Sequence, residues 1–328
     1  MPDEMTRFEM PPQTTAESGE VRRVGFELEF SGVTLEQAGQ AVQSAAGGEL
    51  KPESVAELTL DADLGRFNIE VDWDFLKRTA ADAGGEGGDD RWLELLSRTA
   101  ALVVPLEVVC PPVPLDRLEE LHPLVEALRD AGATGTEESL IAAYGVHINA
   151  EIPRLNAPTL AAYLRAFALL QWWLLEAHEV DPARRISPYI DLFPEAYIRQ
   201  LLARVEPTMD QLFSDYLEHN ASRNRALDLL PLLAHIDEER VRRAIDDPRI
   251  KPRPAFHYRL PNCQIEKAGW SLALSWNIWC VVERLANQPA ELEQLGDAFL
   301  EQADGLLGIN RFRWTGFVSE WLRDRELV

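Results

Sequence analysis

Two glutamates lie one residue apart in an otherwise apolar run, Val24-Gly25-Phe26-Glu27-Leu28-Glu29-Phe30. Successive side chains on a strand point to opposite faces, so this alternation sets Glu27 and Glu29 on one side and the apolar groups on the other. Residues 67–75 split in the same way, with Asn68, Glu70, Asp72 and Asp74 opposite Phe67, Ile69, Val71, Trp73 and Phe75. Residues 146–152 present His147, Asn149 and Glu151, and residues 256–260 present His257 and Arg259. Residues 101–109 are apolar except for Glu107 and stop at Pro111-Pro112.

If these five strands share a sheet, one face gathers up to seven carboxylates and two imidazoles. Crowded carboxylates stay ionised only when cations compensate; otherwise their pKa values rise. A set rich in Glu with one or two His favours Mg²⁺ or Mn²⁺ over Zn²⁺, which more often recruits Cys or several His. A solvated strand face also alternates. Such faces normally include Lys and Thr, which all five strands lack. Glu107, inside an apolar run, requires a cation, an Arg or a hydrogen-bond donor. His147 alone reads as a core histidine, and its company makes it a ligand. Asp74, near a strand end, ranks below Glu70 and Asp72. Arg259 suits the neutralisation of phosphoryl oxygens beside a metal. Arg184 and Arg185 fit either phosphate contact or a helix-end dipole interaction.

The elements that must position these groups follow from periodicity. Thr34 caps a short helix to about residue 45 that ends at Gly47-Gly48. A Gly- and Asp-rich segment at 82–90 reads as an exposed loop. Residues 115–130 form an amphipathic helix. Residues 158–178 are apolar nearly all round, as in a buried central helix; Trp172 and Trp173 read as core and Tyr189 as a pocket wall or core. Further helices are expected at 195–205, 209–219, 223–233, 238–245, 270–286 and 290–306. A strand-rich first half, then helices with one late strand, is an α+β order with a largely antiparallel sheet and helices on one side. The domain reading is a disordered tail over 1–20, followed by a single catalytic α+β domain over 21–328 with a helical insertion around 155–250.

Composition limits the partners. The formal charge is −23, from 55 acidic and 32 basic residues, which repels phosphate backbones and anionic lipid. Neither nucleic acid nor a membrane is an expected partner; homo-oligomerisation stays open. Cys110, Cys263 and Cys280 form no CxxC pair, and with no apolar leader the expected location is cytoplasmic. Walker-type loops, dinucleotide fingerprints and Gly-x-Ser-x-Gly elbows are absent.

In order along the chain, several segments resemble motifs of the amidoligases, carboxylate–amine ligases related to glutamine synthetase and glutamate–cysteine ligase. Gly25-Phe26-Glu27-Leu28-Glu29 resembles the opening Gly-x-Glu-x-Glu. Leu106-Glu107-Val108-Val109-Cys110-Pro111-Pro112 resembles a Glu-Leu-Val-Ser-Pro-Pro strand. Tyr144-Gly145-Val146-His147-Ile148-Asn149 resembles Gly-x-His-x-His, and Phe256-His257-Tyr258-Arg259-Leu260-Pro261-Asn262 a late Glu-Phe-Arg strand followed by Asn. The resemblance implies a glutamine-synthetase-like curved sheet, ATP, and Mg²⁺ or Mn²⁺. The implied reaction joins a small-molecule or peptide carboxylate to an amine through an acyl phosphate. It implies Glu27, Glu29, Glu107 and His147 as metal ligands, with Glu70, Asp72 and His257 in support. Arg259 and Glu107 take catalytic roles, and Arg259, Arg185, Asn149 and Asn262 contact the nucleotide. His257 replaces the usual Glu, Asn149 a second His, and Cys110 a Ser. A guanidino-kinase-like phosphotransferase and a non-catalytic metal- or nucleotide-binding protein are the alternatives.

Overall fold

The computed structural model describes residues 7–72, 104–136, 144–186, 190–304 and 308–328. Among them are eleven α-helices and a large antiparallel sheet of nine strands. Asp74, Tyr189 and the expected loop at 82–90 lie outside the described residues. The chain divides into two compact units, one holding residues 24–147 and 261–274, the other 8–23, 148–260 and 275–328.

In the first unit, β1 (Arg23–Phe30) lies next to β5 (Leu106–Val109), β5 next to β4 (Gly65–Val71), and β4 next to β3 (Glu57–Ala62) and β2 (Glu49–Ser54). Helix α1 (Leu35–Ala46) covers β2, β3 and β4. It starts at the expected Thr34, whose side chain accepts from the Gln37 N–H while the Gln37 side chain accepts from the Thr34 N–H. Gly39 lets α1 sit close, since a Cβ there would stand 2.6 Å from Leu58 Cδ1. The β2–β3 hairpin escaped the sequence reading, because Glu49–Ser54 is polar and exposed and shows no apolar alternation.

Residues 115–130 do not form one helix. Leu115–Leu121 is a 3-10 helix, and α2 (His122–Asp130) begins where Pro123 falls in its first turn. Proline is tolerated there because its missing N–H has no intrahelical partner to lose.

The second unit is built around α3 (Ala157–Ala177), capped by Asn156. It packs against α5 (Glu195–Ala203), α6 (Met209–Asn220), α10 (Pro289–Ala303) and α11 (Arg311–Asp324). The Trp314 indole N–H donates to the Leu169 carbonyl at 2.9 Å, and Phe167, Phe193, Tyr197 and Tyr216 meet edge to face. The unit also holds α4 (Pro182–Ile186), α7 (Leu230–Ile236), α8 (Glu238–Ala244) and, from Ser275 onward, α9 (Leu272–Ala286). Here the expected helix at 223–233 is replaced by a two-residue strand, β8 (Leu227–Asp228), and the short α7. Asp228 accepts from the Leu230 N–H, and Pro231 in the next turn could not sit inside a longer helix.

β9 (His257–Tyr258) pairs with β8, and with β7 (Val146–Ala150) at Ile148. Residues 8–23 belong to this unit instead of a loose tail: Phe8 is buried and the Trp276 indole donates to the Glu9 carbonyl at 2.8 Å. Among the described residues no helix is long and apolar enough to cross a membrane.

Candidate metal centre

The hydrogen-bonding register lines up the acids. Glu107 on β5 stands directly opposite Glu29 on β1 on one side and Glu70 on β4 on the other. Glu70 in turn opposes Glu57 on β3, so one row of carboxylates crosses four neighbouring strands. The apolar partners Phe26, Leu28, Phe67, Ile69 and Val108 are buried on the opposite face. The side chains turned to the sheet's other face are therefore forced into one another's company.

β7 brings in the imidazole. His147 Nδ1 lies 2.8 Å from Glu27 Oε2, and Nε2 lies 3.5 Å from Glu29 Oε1. An ionised carboxylate only accepts, so with Glu27 ionised Nδ1 carries a hydrogen, and Nε2 is the ring nitrogen turned to Glu29, where it could serve a metal ion. A carboxylate that fixes the tautomer of a ligating histidine in this way is a common support of metal sites. The second oxygen of Glu29 accepts from the Gly145 N–H at 2.8 Å, which anchors the carboxylate to the residue just before β7. Asn262 is bridged to Gly145 and buried, so it sits beside that anchor.

Glu29, Glu107 and His147 each offer a ligand atom, and those atoms all lie within 4.8 Å of one another. The Glu107 carboxyl is held well above the usual carboxylate range, by burial first and then by the charges of Glu27, Glu29, Asp72 and Glu70. Two carboxylates and an imidazole nitrogen, with further acids around them, form a donor set that fits a hard divalent cation such as Mn²⁺ or Mg²⁺. Such a cation would relieve the repulsion that raises the Glu107 pKa. Cys110, at the end of β5, is buried, and burial together with Glu27 pushes its thiol up; it stays protonated.

The other sequence candidates belong to the second unit. His257 is buried 3.6 Å from the Asp228 carboxylate, its register partner on β8. Asn149 follows the Ile148–Tyr258 pair on β7. Arg259 donates to the Arg223 carbonyl at 2.7 Å. Arg184 is buried and donates to the carbonyls of Leu260 and Arg259. Arg185 donates to the carbonyls of Val180 and Leu175 at the end of α3, which is the helix-end role. Two features escaped the sequence reading. Glu57 was visible in Glu57-Leu58-Thr59-Leu60, a short alternation, and Asp228 had no local signal because its partner is on another strand.

An antiparallel sheet face carrying carboxylates and an imidazole defines the class of site. A family model described as "putative amidoligase enzyme" matches residues 20–281. The chain belongs to that family of ligase-type enzymes. No curated protein and no solved structure matches the chain.

Proposed function

We propose that the protein is an ATP-dependent carboxylate–amine ligase on a glutamine-synthetase-like fold. In the reaction, ATP phosphorylates a substrate carboxylate. An amine then attacks the acyl phosphate carbon, and phosphate leaves as the amide forms. Glu29, Glu107 and His147 would hold Mg²⁺ or Mn²⁺, with Glu27 orienting the imidazole and Glu70 and Asp72 supplying further negative charge. The ion would supply positive charge for phosphate oxygens on a surface otherwise too acidic to receive them. Arg259 would add a guanidinium to the transferring phosphoryl group. Asn149, Asn262 and Arg185 would contact the nucleotide, although the bonds Arg185 makes to helix-end carbonyls leave it the weakest of these assignments.

The observation that carries the reading is the convergence of the Glu29, Glu107 and His147 ligand atoms within 4.8 Å in a chain of the amidoligase family. The test supplies ATP, Mg²⁺ and panels of acids and amines, and follows ADP, phosphate and amide by mass spectrometry. Amide formation lost in Glu107→Gln and in Arg259→Ala is the expected result. Undiminished turnover in both variants would sink the proposal. ADP together with a phosphorylated product and no amide would instead mark a guanidino-kinase-like phosphotransferase. The placement of His257 beside Asp228, at the position where the motif it resembles has Glu, favours a non-catalytic binding protein as the second reading; calorimetry showing nucleotide binding with no turnover would establish it.

A further inference from the structure

Helix α11 (Arg311–Asp324) has an outer face that the fold of the chain leaves unexplained. Trp314, Thr315, Val318, Trp321 and Leu322 are buried, and at about 100° per residue they fill one side of the helix, centred on Val318. Gly316 lies roughly opposite. Around it on the outer side, Phe312, Arg313, Glu320 and Arg323 are all exposed, and Phe312 leaves 84% of its surface in water. Glycine is disfavoured inside a helix, because it loses the most backbone freedom there. Neither an unusual backbone angle nor internal packing calls for it at this position, since a Cβ on Gly316 would meet nothing within 4 Å. What it does provide is a notch in the middle of an exposed face, where a second backbone can come close.

The charges flanking the notch complement themselves. Arg313 and Glu320 lie on the same flank of Gly316, one on either side of it and about 10 Å apart along the axis, too far to pair with each other. Among the described residues neither side chain forms an ion pair. On the other flank stand Phe312 and, beyond Gly316, Ser319 and Arg323; the Arg323 Nε donates to the Ser319 carbonyl at 3.1 Å, which draws the guanidinium back towards the notch. Residues 311–325 carry four Arg and two acidic residues, in a chain whose net charge is −23. Like-charged molecules repel least across such a stretch.

We propose that this face of α11 is a self-association surface, on which a second copy of the chain lays its own α11 antiparallel, about a two-fold axis that passes between the helices at Gly316. The symmetry sets a residue one or two turns before Gly316 against one equally far beyond it, on the same flank, in the second copy. Arg313 then faces Glu320 of the second copy, and Glu320 faces its Arg313, so two ion pairs form reciprocally. Phe312 packs against Ser319 and the Arg323 guanidinium, as a ring does against a cation. The surface goes beyond the ligase reading and does not depend on it, since it uses no residue assigned to metal or nucleotide.

Sedimentation equilibrium of the full chain tests this, in EDTA so that no divalent ion bridges copies, at about 0.15 M salt to screen long-range repulsion. One helix pair is a small interface, so the series runs from low micromolar to roughly millimolar protein. A monomer–dimer equilibrium within that range is expected. Arg313→Glu and Glu320→Arg each oppose like charges and should weaken the dimer at least about tenfold. The two changes together restore the pairs in reverse and should return the affinity to within a few-fold of the parent. Gly316→Gln fills the notch and should abolish the dimer, with the melting temperature of the dilute protein no lower than the parent's because its own chain leaves the space open. Arg154→Glu makes the same charge change at an exposed arginine elsewhere in the second unit and should dimerise as the parent does. A chain that stays monomeric throughout, single reversals without effect, or a paired reversal that fails to recover association would overturn the proposal.

Discussion

Glu107 is opposed on both sides by acids, Glu29 across β1 and Glu70 across β4, and its behaviour follows from that position. Its carboxyl titrates higher in the folded chain than in the unfolded one. Between those two pKa values the folded protein holds a proton that the unfolded chain has released, so stability falls as pH rises through that window. Below the unfolded value the two states are equally protonated at this site and the effect vanishes. Without metal, the apparent melting temperature should therefore drop from weakly acidic towards neutral pH, and Glu107→Gln should flatten the drop. Melting curves in EDTA across pH would show it, and an unchanged slope in the variant would refute the assignment. The same substitution should weaken Mn²⁺ binding by about tenfold or more, roughly 1.4 kcal/mol, as measured by calorimetry.

Among the elements, the clearest energetic feature is a buried network that ties the segment before β1 to α9. Arg22 donates to both oxygens of Glu283, at 3.1 and 2.8 Å, and to the Glu151 carbonyl. The hydroxyl of Tyr163 and the indole N–H of Trp279 also donate to Glu283, which is fully buried. Removing one partner leaves a buried charge uncompensated. Arg22→Met should cost about 3–5 kcal/mol in urea denaturation, and the double change with Glu283→Met should recover much of it. A smaller cost is expected at α1, where Thr34→Ala removes half of the capping box and should destabilise by about 1 kcal/mol. Gly135 is a position of another kind. A Cβ there would run into the Cys263 carbonyl oxygen and Glu266 Oε2, so Gly135→Ala should be destabilising.

For the whole molecule, any ion that binds the folded chain adds its binding energy to stability. At a Mn²⁺ concentration one hundred times its dissociation constant the gain is about 2.7 kcal/mol. Scanning calorimetry should show an upward shift with Mn²⁺, and that shift should be absent in a Glu29→Gln/Glu107→Gln double variant. An equal shift in the double variant would mean that the stabilising ion binds elsewhere. With a net charge of −23, the chain has every electrostatic reason to take up divalent cations, so this control decides whether the uptake is at the site.

Some of this architecture was legible before any coordinates. The alternation around Glu27 and Glu29, the capped helix from Thr34 and the apolar helix near residues 158–178 depend on neighbours within a few residues, and local sequence carries such signals. The five alternating strands do occur in one antiparallel sheet. The exposed β2–β3 hairpin was not legible because Glu49–Ser54 shows no apolar alternation; the break at Pro123 had a local signal that the amphipathic pattern of 115–130 outweighed; and the strand at Leu227–Asp228 was hidden because it pairs with the remote His257–Tyr258.

By itself, then, the amino-acid order determined which face of each strand is acidic, because side-chain period on a strand is a property of the backbone. It also carried the amidoligase resemblance, which the family match bears out. Only the tertiary structure decided the rest: that Glu107 stands between Glu29 and Glu70, and that His147 takes its hydrogen bond with Glu27 and turns Nε2 to Glu29. Register and loop closure join residues tens of positions apart. Their energies come from pairings between strands and turns that no local stretch contains.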